Sequence, residues 1–338
     1  MLLFEIAKLR GSNHRVTTLV RELTLSMQPV PAVSVTDEGV TMRVGFIGLG
    51  DIGMPMAKTL LAAGFDITVY NRSRGKVEEM EALGAKGASS VAEITGTTDI
   101  LLACLPDVPT VEHVFLGDDG IVANARGGQI LVDHSTVGPA TSQTIAEAAG
   151  VKGAKFLDAP VSGLAERAAQ GELSIMVGGD QPAYEESLPV FQAMGSSVVH
   201  VGASGMGSVF KLVNNAVGIT NVAVAAEGLN LGVQLGADPK TLLNVISKGV
   251  GQSFALDALT PSFLSREFVV SGSPWMRIAL KDLGLALQLA SEAGVTLPTT
   301  EVALDLFERV RSDWPDITNT AGVVLALERN NRSGEVSN

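Results

Sequence analysis

The chain has 338 residues, of which 46% are apolar and 18% charged, a length that suits two domains and a composition that excludes disorder as its general state. A formal net charge of −12 excludes the basic surface on which nucleic-acid binding depends. With the single cysteine Cys104 there is no internal disulfide, which fits a reducing compartment, and its place in the run DILLACLP reads as a small core residue.

Residues 1–41 combine Arg and Lys with a Pro/Val/Ser/Thr tail and read as an unstructured extension or a mis-assigned start, because Met42 stands directly before RVGFIGLG. The expected location is the cytoplasm, or the mitochondrial matrix if this segment is a genuine presequence; Glu5 and Glu22 count against the latter. From Arg43 onward, short β-branched runs alternate with helical ones. RVGFIGL, DITVYN, DILLACLP and QILVDHS read as strands, PMAKTLLAAG, KVEEMEALGA and VEHVFLG as helices, and KFLDAP, LSIMVGG and SSVVHVG as three further strands. This order predicts an α/β fold with a doubly wound parallel sheet over residues 42–204.

After Val201 the pattern becomes helical: Gly205 to Leu235, Pro239 to Lys248 capped by Asp238, MRIALKDLGLALQLASEAG, and TTEVALDLFERVR. An all-helical domain is expected over residues 205–330, joined to the first through a long interdomain helix, with residues 331–338 as a tail. The apolar stretch from Leu212 is interrupted by Asn214, Asn215, Asn221 and Glu227, which argues against a membrane span.

GFIGLGDIGMP places Gly48, Gly50 and Gly53 at G-x-G-x-x-G spacing between a strand and a helix. The first glycine allows the tight turn, the second the approach of a pyrophosphate and the third close helix packing, so Gly48 to Gly53, with Leu49, Asp51 and Ile52, form a candidate dinucleotide loop. The second strand ends in YNRSR. Asn71, Arg72 and Ser73 stand where an acidic residue would hold a ribose 2′-hydroxyl, and a guanidinium and a hydroxyl suit a 2′-phosphate instead. The expected cofactor is NADP(H), with NAD(H) left open.

SGMGSVFKLVNNAVG supplies the candidate for chemistry. Lys211 and Asn215 share one face of a helix that is apolar almost all round, and a buried lysine near a helix start is pushed toward its neutral form. Such a lysine can exchange a proton with a substrate hydroxyl.

GLGDIGMPMAKTLLAAG, VDHSTVGP, DAPVSG, GMGSVFKLVNN and KDLGLAL occur in this order. Together they resemble the motifs of the β-hydroxyacid dehydrogenase family, which includes 3-hydroxyisobutyrate dehydrogenase and is 6-phosphogluconate dehydrogenase-like in fold. The resemblance implies Lys211 as general acid/base with Asn215 as its partner. It also implies Ser135 and Thr136 beside nicotinamide and substrate carboxylate, Ser162 and Gly163 in a carboxylate-binding loop, Leu105 and Pro106 lining the cofactor, and Lys281 contacting it, with Asp282 beside that lysine. It implies a small carboxylate substrate and a homodimer or homotetramer. The expected reaction interconverts a 3-hydroxy acid with its semialdehyde or keto acid. Imine reductases, similar in sequence but generally lacking the lysine, and a non-catalytic NADP-binding redox sensor are the alternatives.

After DAPVSG the family usually has two further glycines where this sequence has Leu164 and Arg167. Either the substrate differs in size or charge from 3-hydroxyisobutyrate, or both side chains face solvent. His134 reads as a packing residue, as do Trp275 and Met276, and EEMEAL as a solvated helix face. His14, His113 and His200 lack metal-ligand spacing, so no metal is expected.

Overall fold

The computed structural model describes residues 42–270 and 274–334. The expectation for residues 1–41 lies outside them. A nine-stranded sheet has the order β3-β2-β1-β4-β5-β6-β8-β7, with β9 also on β8. The strands are β1 (Arg43–Ile47), β2 (Asp66–Tyr70), β3 (Lys86–Gly87), β4 (Ile100–Ala103), β5 (Ile130–Asp133), β6 (Lys155–Asp158), β7 (Val161–Ser162), β8 (Leu173–Gly179) and β9 (Gly195–Gly202). β1 to β6 are parallel, as the apolar runs of β1, β2, β4 and β5 predict; the two-residue β3 has no such run and was not expected. β8 runs antiparallel to β6 and β7 and parallel to β9. β6 and β7 point the same way, and the chain reverses between Gly163 and Glu172 to lay β8 against both.

Helices cover both faces. α1 (Gly53–Ala62), α2 (Arg74–Ala82) and the later α8 (Gln181–Met194) bury Met56, Leu60, Val77, Met80, Val190 and Phe191 on one side. α3 (Val91–Thr97), α4 (Val108–Leu116), α5 (Ile121–Asn124) and α6 (Pro139–Val151) bury Ile94, Val111, Phe115, Ile121 and Ile145 on the other. The five-residue α7 (Ala165–Ala169) follows β7. On the solvent side of α2, Arg74 meets Glu81 at 2.8 Å and Lys58 meets Glu79 at 2.6 Å, so EEMEAL is the solvated face expected.

The second half is helical: α9 (Met206–Gln234), α10 (Pro239–Ile246), α11 (Phe254–Ser265), α12 (Trp275–Glu292), α13 (Pro298–Asp313) and α14 (Val323–Gly334). Their core joins Ala226 and Leu229 to Leu256, Leu259, Leu283 and Phe307. Met276 belongs to it, as its packing role requires, and Trp275 is half-buried. α14 continues through Gly334, where a tail was expected from residue 331. With 29 residues and a mean hydropathy of 1.3 over its most apolar window, α9 has the length and composition of a membrane span. It packs on β8 and β9 and on α11 to α14, and carries Lys211 and Asn230 buried.

Candidate active site

The strand order reverses between β1 and β4, which opens a crevice at their carboxyl ends. Gly48 turns the chain there with φ +95°, and its N–H donates to the Tyr70 carbonyl at 3.0 Å. A methyl group on Gly48 would collide with the Cys104 carbonyl and one on Gly53 with the Gly48 carbonyl, whereas one on Gly50 would meet nothing within 4 Å. The N–H groups of Gly50, Asp51 and Ile52 have no partner among the described residues, and no side chain caps α1. Open donors around an empty approach at a helix start fit a dinucleotide pyrophosphate.

Asn71 fixes this loop. Its Oδ1 accepts the Leu49 N–H at 3.0 Å and its Nδ2 donates to the Ser73 carbonyl at 3.2 Å, so the carboxamide is committed to backbone. Arg72 and Ser73 are exposed; Arg72 pairs with no carboxylate among the described residues, and Ser73 begins α2 without a side-chain cap bond.

Opposite, the Leu105 N–H donates to Ser135 Oγ at 2.8 Å, and the Ser135 N–H donates to Asp133 Oδ1 at 2.9 Å. Pro106, next in the loop, is exposed. Burial pushes Asp133 up to about 6, against the pull of the Ser135 hydrogen bond. His134 Nδ1 lies 2.6 Å from the Ala159 carbonyl, which only accepts, so Nδ1 carries the proton. Burial pulls this ring down to about 4, and it sits edge-on to Phe191 at 5.9 Å, the packing role expected of it. Burial also pushes the Cys104 thiol up to about 12, which leaves it protonated.

The helical domain supplies the other wall. Asp158 Oδ1 accepts the Gly205 N–H at 2.8 Å and Oδ2 the Ser208 N–H at 2.9 Å, so this carboxylate caps α9. A side chain at Gly207 would strike the Asp158 carbonyl, and its absence lets the helix seat on the sheet. Lys211 follows on α9, 8% exposed, with no hydrogen bond or ion pair among the described residues. Burial lowers it to about 8, helped by Lys281 and opposed by Asp282. The helix field expected to favour neutral Lys211 meets a carboxylate at the helix start, and burial is the dominant cause instead.

Asn215 makes no hydrogen bond to Lys211 among the described residues. Its Nδ2 donates to Asp282 Oδ2 at 2.5 Å, and its Oδ1 accepts from Asn214 at 3.1 Å. Lys281 Nζ donates to the Thr136 carbonyl at 2.7 Å and contacts Asp282 Oδ1 at 2.7 Å. The two domains are therefore tied from Asn215 through Asp282 and Lys281 to Thr136. At the edge strand, Ser162 ends β7, Gly163 turns with φ +142°, and Leu164, half-buried, begins α7 without a cap bond. The N–H groups of Gly163 and Leu164 have no partner among the described residues.

Sequence reading missed Asp133 and Asp158. The signal was present: ILVD and KFLD each close a buried four-residue strand with an acid, and the two acids are register partners. An acid ending an apolar strand is placed to hold the loops above it. Among the described residues, no group of three His, Cys, Asp or Glu is placed to hold a metal ion.

Phosphate donors on one domain and an uncompensated lysine on the other meet the needs of nicotinamide chemistry, which puts the chain in the class of two-domain NAD(P)-dependent oxidoreductases. Residues 43–202 match the family profile of the NAD binding domain of 6-phosphogluconate dehydrogenase, and residues 205–325 that of the NAD-binding region of NADP-dependent 3-hydroxyisobutyrate dehydrogenase. The chain is 37% identical to 2-(hydroxymethyl)glutarate dehydrogenase of Eubacterium barkeri over 273 residues, 80% of this chain and 90% of that one. It is 34% identical to 2-hydroxy-3-oxopropionate reductase of Escherichia coli over 290 residues, 85% and 97% of the two. The solved Mycobacterium tuberculosis 3-hydroxyisobutyrate dehydrogenase with L-serine superposes with a TM-score of 0.77 at 28% identity, covering 85% of this chain and 99% of that one. The chain belongs to the β-hydroxyacid dehydrogenase family and is an NAD(P)-dependent hydroxyacid dehydrogenase or reductase.

Proposed function

We propose that the chain interconverts a small 3-hydroxy acid with its semialdehyde or keto acid, prefers NADP(H), and uses Lys211 as general acid/base. The observation that carries this reading is Lys211 itself: buried, unpaired among the described residues, and lowered to about 8. A proton donor to a carbonyl works best with a pKa near the working pH, and unpaired Lys211 is free to bond a substrate oxygen. NADP(H), held at Gly50 to Ile52, would supply or receive the hydride.

The chain's own groups do the rest. Ser135 accepts from Leu105 and keeps its own proton for a substrate oxygen. The N–H groups of Gly163 and Leu164 would hold the substrate carboxylate, with Ser162 beside them. Lys281 and Asp282 hold α12 against Thr136, and so set the distance between lysine and cofactor. Preference for NADP(H) is supported by the exposed Arg72 and the Ser73 hydroxyl, neither with a side-chain partner among the described residues. Self-association as a homodimer or homotetramer is supported by the exposed apolar face of α9, where Phe210, Val217, Val224 and Leu231 follow one another at helical spacing. The lysine favours hydroxyacid over imine chemistry.

The test is steady-state reduction of glyoxylate, tartronate semialdehyde and succinic semialdehyde with NADPH and NADH, beside Lys211→Ala. Loss of a positioned general acid costs about 10²- to 10⁴-fold in kcat. Full aldehyde reduction by the variant would remove Lys211 from the mechanism, and a higher kcat/KM with NADH would reverse the cofactor preference.

A further inference from the structure

We propose that Arg167 is a specificity residue that reads a second negative group on the substrate, so that the chain acts on hydroxy acids or semialdehydes carrying a distal carboxylate. This rests on the reading of Ser162, Gly163 and Leu164 as the loop that holds the substrate's first carboxylate.

The placement of Arg167 follows from its neighbours. The left-handed turn at Gly163 brings its Cα under the arginine: a methyl group built there would lie 3.4 Å from Cβ and 3.9 Å from Cδ of Arg167. The arginine stem therefore runs across the loop rather than away from it. Its own helix cannot drift. Ala168 is fully buried, its carbonyl accepts Thr59 Oγ1 of α1 at 3.0 Å, and the Glu172 N–H closes on the Arg167 carbonyl at 2.9 Å. A fixed backbone and a stem laid over glycine leave little freedom except at the guanidinium.

That guanidinium is exposed and uncompensated. Arg43, Arg74, Arg126 and Arg266 each reach a carboxylate at 2.7 or 2.8 Å. Arg167 reaches none among the described residues, although Glu166 and Glu172 are close in sequence. In a chain of net charge −12, a cation whose stem is held beside the loop, with no carboxylate partner among the described residues, offsets the repulsion a doubly charged anion would meet there. Its planar fork suits a carboxylate, and the half-buried Leu164 offers an apolar wall for the methylenes between two acid groups. A substrate as short as 3-hydroxyisobutyrate, whose only charge is spent on the loop, has nothing for Arg167 to bind.

The experiment compares three hydroxy acids that share one hydroxymethyl-carboxylate head: 3-hydroxyisobutyrate, 2-(hydroxymethyl)glutarate, and 2-(hydroxymethyl)pentanoate as the length control without the distal charge. Each is assayed with NADP+ and with NAD+ on the full chain and on Arg167→Gln and Arg167→Lys. The full chain should favour the glutarate over the pentanoate. Arg167→Gln should cut that ratio of kcat/KM by about fivefold to tenfold, mainly through KM, as loss of a partly solvated charge-assisted contact does. Arg167→Lys should restore part of it. A ratio unmoved by Arg167→Gln, with 3-hydroxyisobutyrate still oxidised, overturns this inference and leaves the proposed reaction standing. Failure of the full chain to oxidise any of the three overturns both.

Discussion

Asn215 of α9 and Asp282 of α12 meet at 2.5 Å, amide nitrogen to carboxylate oxygen, with Asp282 only 1% exposed. The same carboxylate contacts Lys281 and raises Lys211. One buried acid thus sets the position of two site side chains and the basicity of a third. Asp282→Asn removes the charge and keeps the shape. Because the acid favours protonated Lys211, the variant should lose reductase activity at lower pH than the parent, its alkaline limb moving below about 8. A pH profile of kcat measures this, and an unmoved limb would separate Asp282 from the lysine.

Lys211 also carries a stability cost with a definite pH window. Its pKa is about 8 in the fold against 10.5 for a free lysine. The native state thus binds the proton less tightly than the unfolded one, so folding is penalised in full below about 8. The penalty vanishes as pH rises to 10.5. Lys211→Met, which fills the space without the charge, should therefore be the more stable protein at pH 7, by roughly 1–3 kcal/mol. The gain should fade by pH 10.5. Thermal melts at both pH values check this, and a less stable variant at pH 7 would mean the lysine is compensated.

The glycine spacing, the apolar runs of β1, β2, β4 and β5 and the lysine on a long helix were legible because each is a local pattern with one physical meaning. Four helices of eight residues or more, and the shorter α3, α5 and α7, were not. α6 spends its buried face on Ser142, Ile145 and Ala149, which gives little apolar contrast, and α8 and α11 contain Pro189 and Pro261, which read as breaks. α14 buries Val323 and Val324 at a chain end where periodicity is short. In the site, neighbours far apart in sequence were hidden. Lys281 was legible as a motif, but its reach to the Thr136 carbonyl 145 positions away was not. Likewise Asn215 shares a helix face with Lys211, but that its amide bonds to Asp282 of another helix was not legible.

The dinucleotide loop separates folding from binding. Gly53→Ala drives a methyl group into the Gly48 carbonyl, and Gly48→Ala also strains a backbone at φ +95°. Each should lose about 2 kcal/mol or more of stability by chemical denaturation. Gly50→Ala meets no protein atom within 4 Å, so its stability should stay within about 1 kcal/mol of the parent. Its methyl group would instead occupy the pyrophosphate's approach, raising the cofactor Kd about tenfold or more. Equal cofactor binding by Gly50→Ala and the parent would move the phosphates elsewhere.

Ser135 tests whether a site side chain also holds the structure. Its hydroxyl accepts the Leu105 N–H at 2.8 Å while its N–H is held by Asp133 at 2.9 Å. A residue that merely touched substrate could be truncated without effect on folding. Ser135→Ala leaves the Leu105 donor unpaired in a part-buried loop, so it should lower stability by about 1–2 kcal/mol as well as raise the substrate KM. Ser135→Thr keeps the acceptor and should recover most of the stability, even where its extra methyl group crowds the substrate. Melting temperatures of the two variants, taken with and without saturating cofactor, decide the matter. If Ser135→Ala melts with the parent in both conditions, the Leu105 loop is held by other contacts and Ser135 acts through substrate alone.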